Sequence, residues 1–199
     1  MAIDLWAARL ERPLTEAETR TMMDLLPAER RQRLLRLRAE EKRREPLCAY
    51  LILRLALWET YGLKELPAIA LSEGGKPFFP DYPDIHFNIS HTNGAVLVGL
   101  SDQPIGVDIE KIRPVGQRFM HRLTGAATER EFFQNWVRRE ARVKRCGISV
   151  STMMRSESPL QYGEFYHEVE TFPGYVAGVA TRSREVPGAV RKYSLDEML

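Results

Sequence analysis

The 199-residue chain predicts an α+β fold made of two similar α+β halves. Three observations lead there. The elements run strand, helices, hairpin, then strand, helix, strands. A strongly marked hairpin from Ile85 to Leu100, turning at Asn93-Gly94, closes the first series. Asp102-Gln103-Pro104 then breaks the chain with a turn, so the halves are expected at 1–104 and 105–199.

Ile3 to Leu10 is predicted to be the opening strand. Thr15 and Glu18 have the spacing of a capping box, opening a short helix to about Leu26. Pro27 suits a helix start, so a cationic helix is expected from Ala28 to about Leu37. Glu45 to Tyr61 is apolar almost all round, through Leu47, Leu51, Leu55 and Trp58, and should lie at the centre of the core. Gly62 is its expected stop. Gly74-Gly75-Lys76-Pro77 is a turn. Ile105 to Glu110 is an apolar run broken by acids at alternate positions, a strand with Asp108 and Glu110 on one face. Thr128 and Glu131 repeat the capping-box spacing and open a helix that runs to Gly147. Residues 111–127 show no clear pattern, 148–182 are strand-like with interruptions, and 183–199 read as loosely packed.

Composition is that of an ordinary globular protein, 44% hydrophobic and 28% charged. The net charge of +2 is too small to argue for nucleic acid, though it is unevenly spread. Residues 30–44 hold eight basic side chains against Glu40 and Glu41, and 138–145 hold five against Glu140. Cys48 and Cys146 have no metal-ligand spacing and fit a reducing compartment. No N-terminal signal is visible, and the longest apolar run, Leu47 to Leu53, is too short to cross a bilayer. A soluble cytoplasmic protein is expected.

Three carboxylates carry the chemistry. Asp108 and Glu110 repel one another on the predicted strand and need either exposure or a cation. On the later helix Trp136, Glu140 and Lys144 follow at i, i+4 and i+8, beside Phe132, Phe133, Val137 and Ala141. A third acid with a lysine one turn on would complete a hard-oxygen site suited to magnesium and a polyphosphate. Singly, each signal has an ordinary reading: solvated acids on an edge strand, a helix-surface ion pair, a turn at Gly75-Lys76-Pro77, a capping role for His91.

Together, Gly75-Lys76-Pro77, Phe87-Asn88-Ile89-Ser90-His91-Thr92, Gly106-Val107-Asp108-Ile109-Glu110 and Trp136-x-x-Arg139-Glu140-Ala141-x-x-Lys144 resemble the signature of the 4′-phosphopantetheinyl transferases. The likeness is to the larger, surfactin-synthetase-activating (Sfp) type, with all four motifs in family order. The resemblance implies transfer of the phosphopantetheine arm of coenzyme A to a serine of an apo acyl, peptidyl or aryl carrier protein, releasing 3′,5′-adenosine bisphosphate. It implies that Asp108, Glu110 and Glu140 hold magnesium (or manganese), and that Lys144 and His91 meet the pyrophosphate. It further implies that Lys76 and Ser90 contact the coenzyme's phosphates and that Arg44 binds its 3′-phosphate. Glu140 or a metal-bound water would accept the serine proton. Glu45 and Pro46 follow Arg44 where a small hydroxyl residue would have suited adenine or phosphate.

The resemblance also implies a monomer with its active site in the cleft between pseudo-symmetric halves. Acidic carriers would be steered by basic side chains such as Arg138 and Arg142. Two other readings compete: a nucleic-acid-binding protein using its arginine-rich helices, and an inactive relative that only binds carriers. The near-neutral charge counts against the first, and the full set of motif acids with Lys144 counts against the second. Neither nucleic acid nor membrane is an expected partner.

Overall fold

The structure, a computed structural model, describes residues 3–147, 160 and 162–198. The protein is α+β. Its first strand is β1 (Asp4–Arg9), followed by helices α1 (Glu16–Asp24), α2 (Ala28–Leu35) and α3 (Arg44–Tyr61). A two-residue ladder, β2 (Ala70–Leu71) with β3 (Pro77–Phe78), precedes the hairpin of β4 (His86–Thr92) and β5 (Ala95–Ser101). Then come β6 (Gly106–Lys111), α4 (Gln117–Thr124), α5 (Glu129–Cys146), β7 (Phe165–Val169), β8 (Tyr175–Thr181) and β9 (Arg191–Ser194).

Two sheets result. One has the order β4-β5-β1-β9 and the other β6-β8-β7. Within 4–101 and again within 106–181 the connectivity is the same: a strand, helices, then a hairpin whose second strand sits in the middle, antiparallel to both neighbours.

Alternation in the strands stacks these sheets as layers. On β1, Trp6 and Ala8 join the core under α3, while Leu5 and Ala7 join a second core with Val107, Ile109 and Val179. On β5, Val96 and Val98 face α3, and Leu97 faces the second sheet. That is why β5 is buried along its whole length. Gly99 is needed where the sheets touch, because a Cβ there would stand 2.8 Å from Val107 Cγ1. A third cluster, Met120, Phe132, Phe133 and Val137, joins α4 and α5 to Val176.

Both predicted helix caps are present. Thr15 and Glu18 form the complete reciprocal box. Thr128 Oγ1 accepts from the Glu131 N–H, but Glu131 reaches one residue further back, to the Ala127 N–H. Gly62 ends α3 in the left-handed conformation, with φ of 70°. The Asn93-Gly94 hairpin forms with only Gly94 at positive φ, so it is not the turn with both central residues left-handed that Asn-Gly favours.

One expectation is overturned, one gap is filled and one reading holds where it can be seen. Residues 111–127 contain α4, whose N-cap is Gly116 without a side-chain bond and so carries no capping signal. The tail is not loose: Arg191–Ser194 pairs in parallel with β1, and Leu195 is buried in the first core. A polar strand with no alternation becomes β9 because β1 offers it an open edge. Of the predicted strand-like stretch 148–182, residues 148–159 and 161 lie outside the described residues, and the rest holds β7 and β8.

Candidate active site

Each sheet has one edge at the same seam. β4 ends the first sheet and β6 ends the second, so neither has a backbone partner on its outer side. Side chains of β4 take that role. Phe87 and Ile89 point to the α3 core, so Asn88, Ser90 and Thr92 point the other way. Asn88 Oδ1 accepts from the Val107 N–H at 2.8 Å, and Ser90 Oγ accepts from the Ile109 N–H at 3.3 Å. Thr92 Oγ1 donates to Glu110 Oε2 at 3.0 Å. Three alternate residues of one strand thus tie down the neighbouring edge and the acids on it.

Helix α5 closes the site from the other side. Gly106 lets it approach, since a Cβ there would run into the Ala141 carbonyl oxygen and the Arg145 nitrogen. At that separation Lys144 Nζ reaches Asp108 Oδ1 at 2.7 Å and Ser90 Oγ at 2.9 Å. Ser90 Oγ donates in turn to Asp108 Oδ1 at 2.7 Å. Asp108 is only 4% exposed, and its second oxygen, Oδ2, is buried with no hydrogen-bond partner. An uncompensated carboxylate oxygen in such a place is costly and invites a cation.

The electrostatics agree. Burial pushes the Asp108 carboxyl up, while the Lys144 charge and the Ser90 hydroxyl act against that. Glu140 is raised by burial, then by the charge of Asp108, with Glu110 adding to it. It makes no hydrogen bond among the described residues. Burial and then Lys144 hold the His91 imidazole below its usual pKa, although the ring is open to solvent at the rim.

The structure therefore brings Ser90, Asp108 and Lys144 into direct contact, with Glu140, Glu110 and His91 in electrostatic reach. Two other predicted residues stand at the flanks. Lys76 Nζ donates to the Ile105 carbonyl at 2.9 Å and to the Arg145 carbonyl at 2.8 Å, capping the last turn of α5. Burial, then Arg145, lowers its pKa to about 8. Arg44 is held by Glu45 at 2.6 Å, and the same Glu45 oxygen accepts from the Gly94 N–H of the hairpin. Glu45 thus anchors Arg44 beside the turn.

Among the described residues no three His, Cys, Asp or Glu side chains form a ready metal cage. The Lys144 ammonium sits on Asp108 Oδ1. The donor set nonetheless suits a hard divalent cation, with the orphaned Asp108 Oδ2 and the unbonded Glu140 near one another. Sequence reasoning assigned no role to Asn88 or Thr92. Their signal was the alternation of 88, 90 and 92 against apolar 87 and 89.

One surface expectation fails. Arg142 is not free to steer a partner: it is 1% exposed, and its guanidinium donates to both oxygens of Glu164 at 3.1 and 3.0 Å. Arg145 joins the same carboxylate at 3.3 Å. Trp136 packs against the α4–α5 core, stacked on Phe132 with centroids 6.3 Å apart, as a core residue would.

The Sfp 4′-phosphopantetheinyl transferase of Bacillus subtilis (strain 168) is 27% identical over 222 residues, covering 98% of this chain and 99% of its own. The chain is thus similar over nearly its whole length to a 4′-phosphopantetheinyl transferase of the Sfp type. Another such transferase, psf-1 of Bacillus pumilus, is 28% identical over 209 residues, covering 96% of this chain and 85% of its own. A shorter match, 31% over 115 residues, is to the 4′-phosphopantetheinyl transferase AcpT of Salmonella typhi. No family model matches the chain.

Proposed function

We propose that this protein moves the 4′-phosphopantetheine arm of coenzyme A onto a serine of an apo acyl, peptidyl or aryl carrier protein, releasing 3′,5′-adenosine bisphosphate. The observation that carries this reading is the Ser90–Asp108–Lys144 contact at the meeting of two strand edges, faced by Glu140. Relatives named 4′-phosphopantetheinyl transferases over nearly the whole chain support it.

Magnesium, held by Asp108, Glu110 and Glu140, would neutralise pyrophosphate oxygens as charge moves to the leaving phosphate. The remaining work falls to the chain. Lys144 and His91 bind and orient the pyrophosphate, while Lys76 and Ser90 contact the coenzyme's phosphates. To do so, Lys144 shifts its ammonium from the carboxylate to a phosphate oxygen close by. Arg44, steadied by Glu45, meets the 3′-phosphate. Glu140, raised in pKa and without a hydrogen bond among the described residues, accepts the serine proton as the serine oxygen bonds to phosphorus and the phosphoanhydride bond breaks, releasing the bisphosphate.

The matching connectivity of 4–101 and 106–181 supports two pseudo-symmetric halves, divided near 104/105, with this site in the cleft between them, while residues 191–195 cross back to complete the first sheet and core. The reading is of a monomer in the cytoplasm. No helix among the described residues is long and apolar enough to cross a membrane.

The test is intact-mass spectrometry of apo carrier proteins incubated with coenzyme A, magnesium and the protein. The carrier is expected to gain one phosphopantetheine arm. The gain disappears on chelation, and in Asp108→Ala the rate drops by about 10²–10³-fold or more. No gain on acyl, peptidyl and aryl carriers alike, from a folded protein, sinks the reading.

A further inference from the structure

One residue at the seam sets an acid without touching the reacting groups. Glu110 has two donors on a single oxygen. Thr92 Oγ1 donates to Oε2 from the first half at 3.0 Å, and Arg113 donates to the same Oε2 from the second half at 2.8 Å. Arg113 is itself fixed, its guanidinium 4.7 Å from the centre of the Phe133 ring and bonded to the Lys111 carbonyl at 3.0 Å. Oε1 accepts no hydrogen bond among the described residues. A carboxylate on the last outward-facing position of an edge strand ordinarily samples several rotamers. Here one oxygen is saturated and the other is left over.

We propose that Thr92 is a positioning residue that pins Glu110 by Oε2 and so presents Oε1 toward the cation held with Asp108 and Glu140. The proposal rests on the transferase reading above and adds a residue to it. The physical argument is that of outer-shell hydrogen bonds, which fix the rotamer of a ligating carboxylate before the ion arrives. Thr92 suits the task because β4 and β6 lie edge to edge. Its hydroxyl is the third rung after Asn88 and Ser90, and the only one of the three that ends on a carboxylate of Glu110. Its β-branched side chain is also stiff about χ1, so the hydroxyl is not free to wander.

Thr92→Val keeps the shape and removes the donor, and Thr92→Ser keeps the donor. Mn²⁺ binding to the protein alone, followed by electron paramagnetic resonance, is read beside transfer kinetics. The expected result is about a tenfold or larger loss of Mn²⁺ affinity in Thr92→Val. The kcat falls with it, the KM for coenzyme A holds, the melting curve is unchanged, and Thr92→Ser recovers most of the affinity. Wild-type Mn²⁺ affinity in Thr92→Val overturns the proposal while leaving the transferase intact. A wild-type protein that neither binds Mn²⁺ nor modifies a carrier removes both.

Discussion

Residues 4–101 and 106–181 share a connectivity and differ in what their long helix carries. α3 and α5 are equally long, 18 residues each, and each packs on its own sheet. The buried residues of α3 are all apolar, from Leu47 to Leu57. Those of α5 include Arg139, Arg142 and Arg145 among Phe132, Phe133, Val137, Ala141 and Val143. The first half uses its helix as a core, and gains β9 as an extra strand. The second uses its helix to carry Glu140 and Lys144 up to β6, and needs buried ion pairs to hold it there. The same connectivity thus supports an apolar helix in one segment and a charged one in the other.

The largest expected effect tests that division at Glu164. Its carboxylate serves two buried guanidiniums, so Glu164→Ala strips both of it and should cost about 3–5 kcal/mol in urea unfolding. A loss under about 1 kcal/mol would mean the second helix is held by its hydrocarbon contacts, as the first is, and the contrast would collapse.

A smaller effect is expected at the seam joining the halves. Asn88→Ala leaves the buried Val107 N–H without its acceptor, for a cost of about 1–3 kcal/mol. Because the strand that loosens carries Asp108 and Glu110, carrier modification should fall together with the unfolding midpoint. A stability loss with full activity would show that β6 is held from the β8 side alone.

A third effect is a pH dependence at Lys76. Its pKa is lowered from 10.5 unfolded to about 8 by burial. Between those values the unfolded chain binds the extra proton, so stability rises as pH climbs from about 8 to 10.5. Below that window the buried ammonium carries its full cost. The denaturation midpoint of the wild type should show this rise and Lys76→Met should lack it. Parallel curves would mean that the two carbonyls at Ile105 and Arg145 keep the ammonium charged.

Much of this was readable in the residues. The hairpin at Asn93-Gly94, the helix ending at Gly62 and the caps at Thr15 and Thr128 follow from local chemistry acting over a few residues. So does the strand that aligns Asp108 with Glu110. What escaped depends on partners far away in the chain. β9 looks like a loose tail until Arg191 pairs with Trp6 at the open edge of β1, 185 residues earlier, and its guanidinium reaches Asp4. α4 lacks a side-chain cap and is held by Met120 packing into the α4–α5 core. Arg142 has the periodic position of a surface charge and is buried only because Glu164 is there to meet it.

The sequence by itself determined the α+β class, the alternation that separates acids from core on β6, and the stripe that puts Glu140 and Lys144 on one side of α5. These are consequences of backbone periodicity, which operates within a single element. Only the tertiary structure decided that β4 and β6 would meet as two open edges, with Asn88, Ser90 and Thr92 bridging them. It alone brought Lys144 onto Asp108, through the bare Cα of Gly106. Unsatisfied strand edges and buried charges have to find partners, and those partners are chosen by the packing of layers, not by neighbours in the chain.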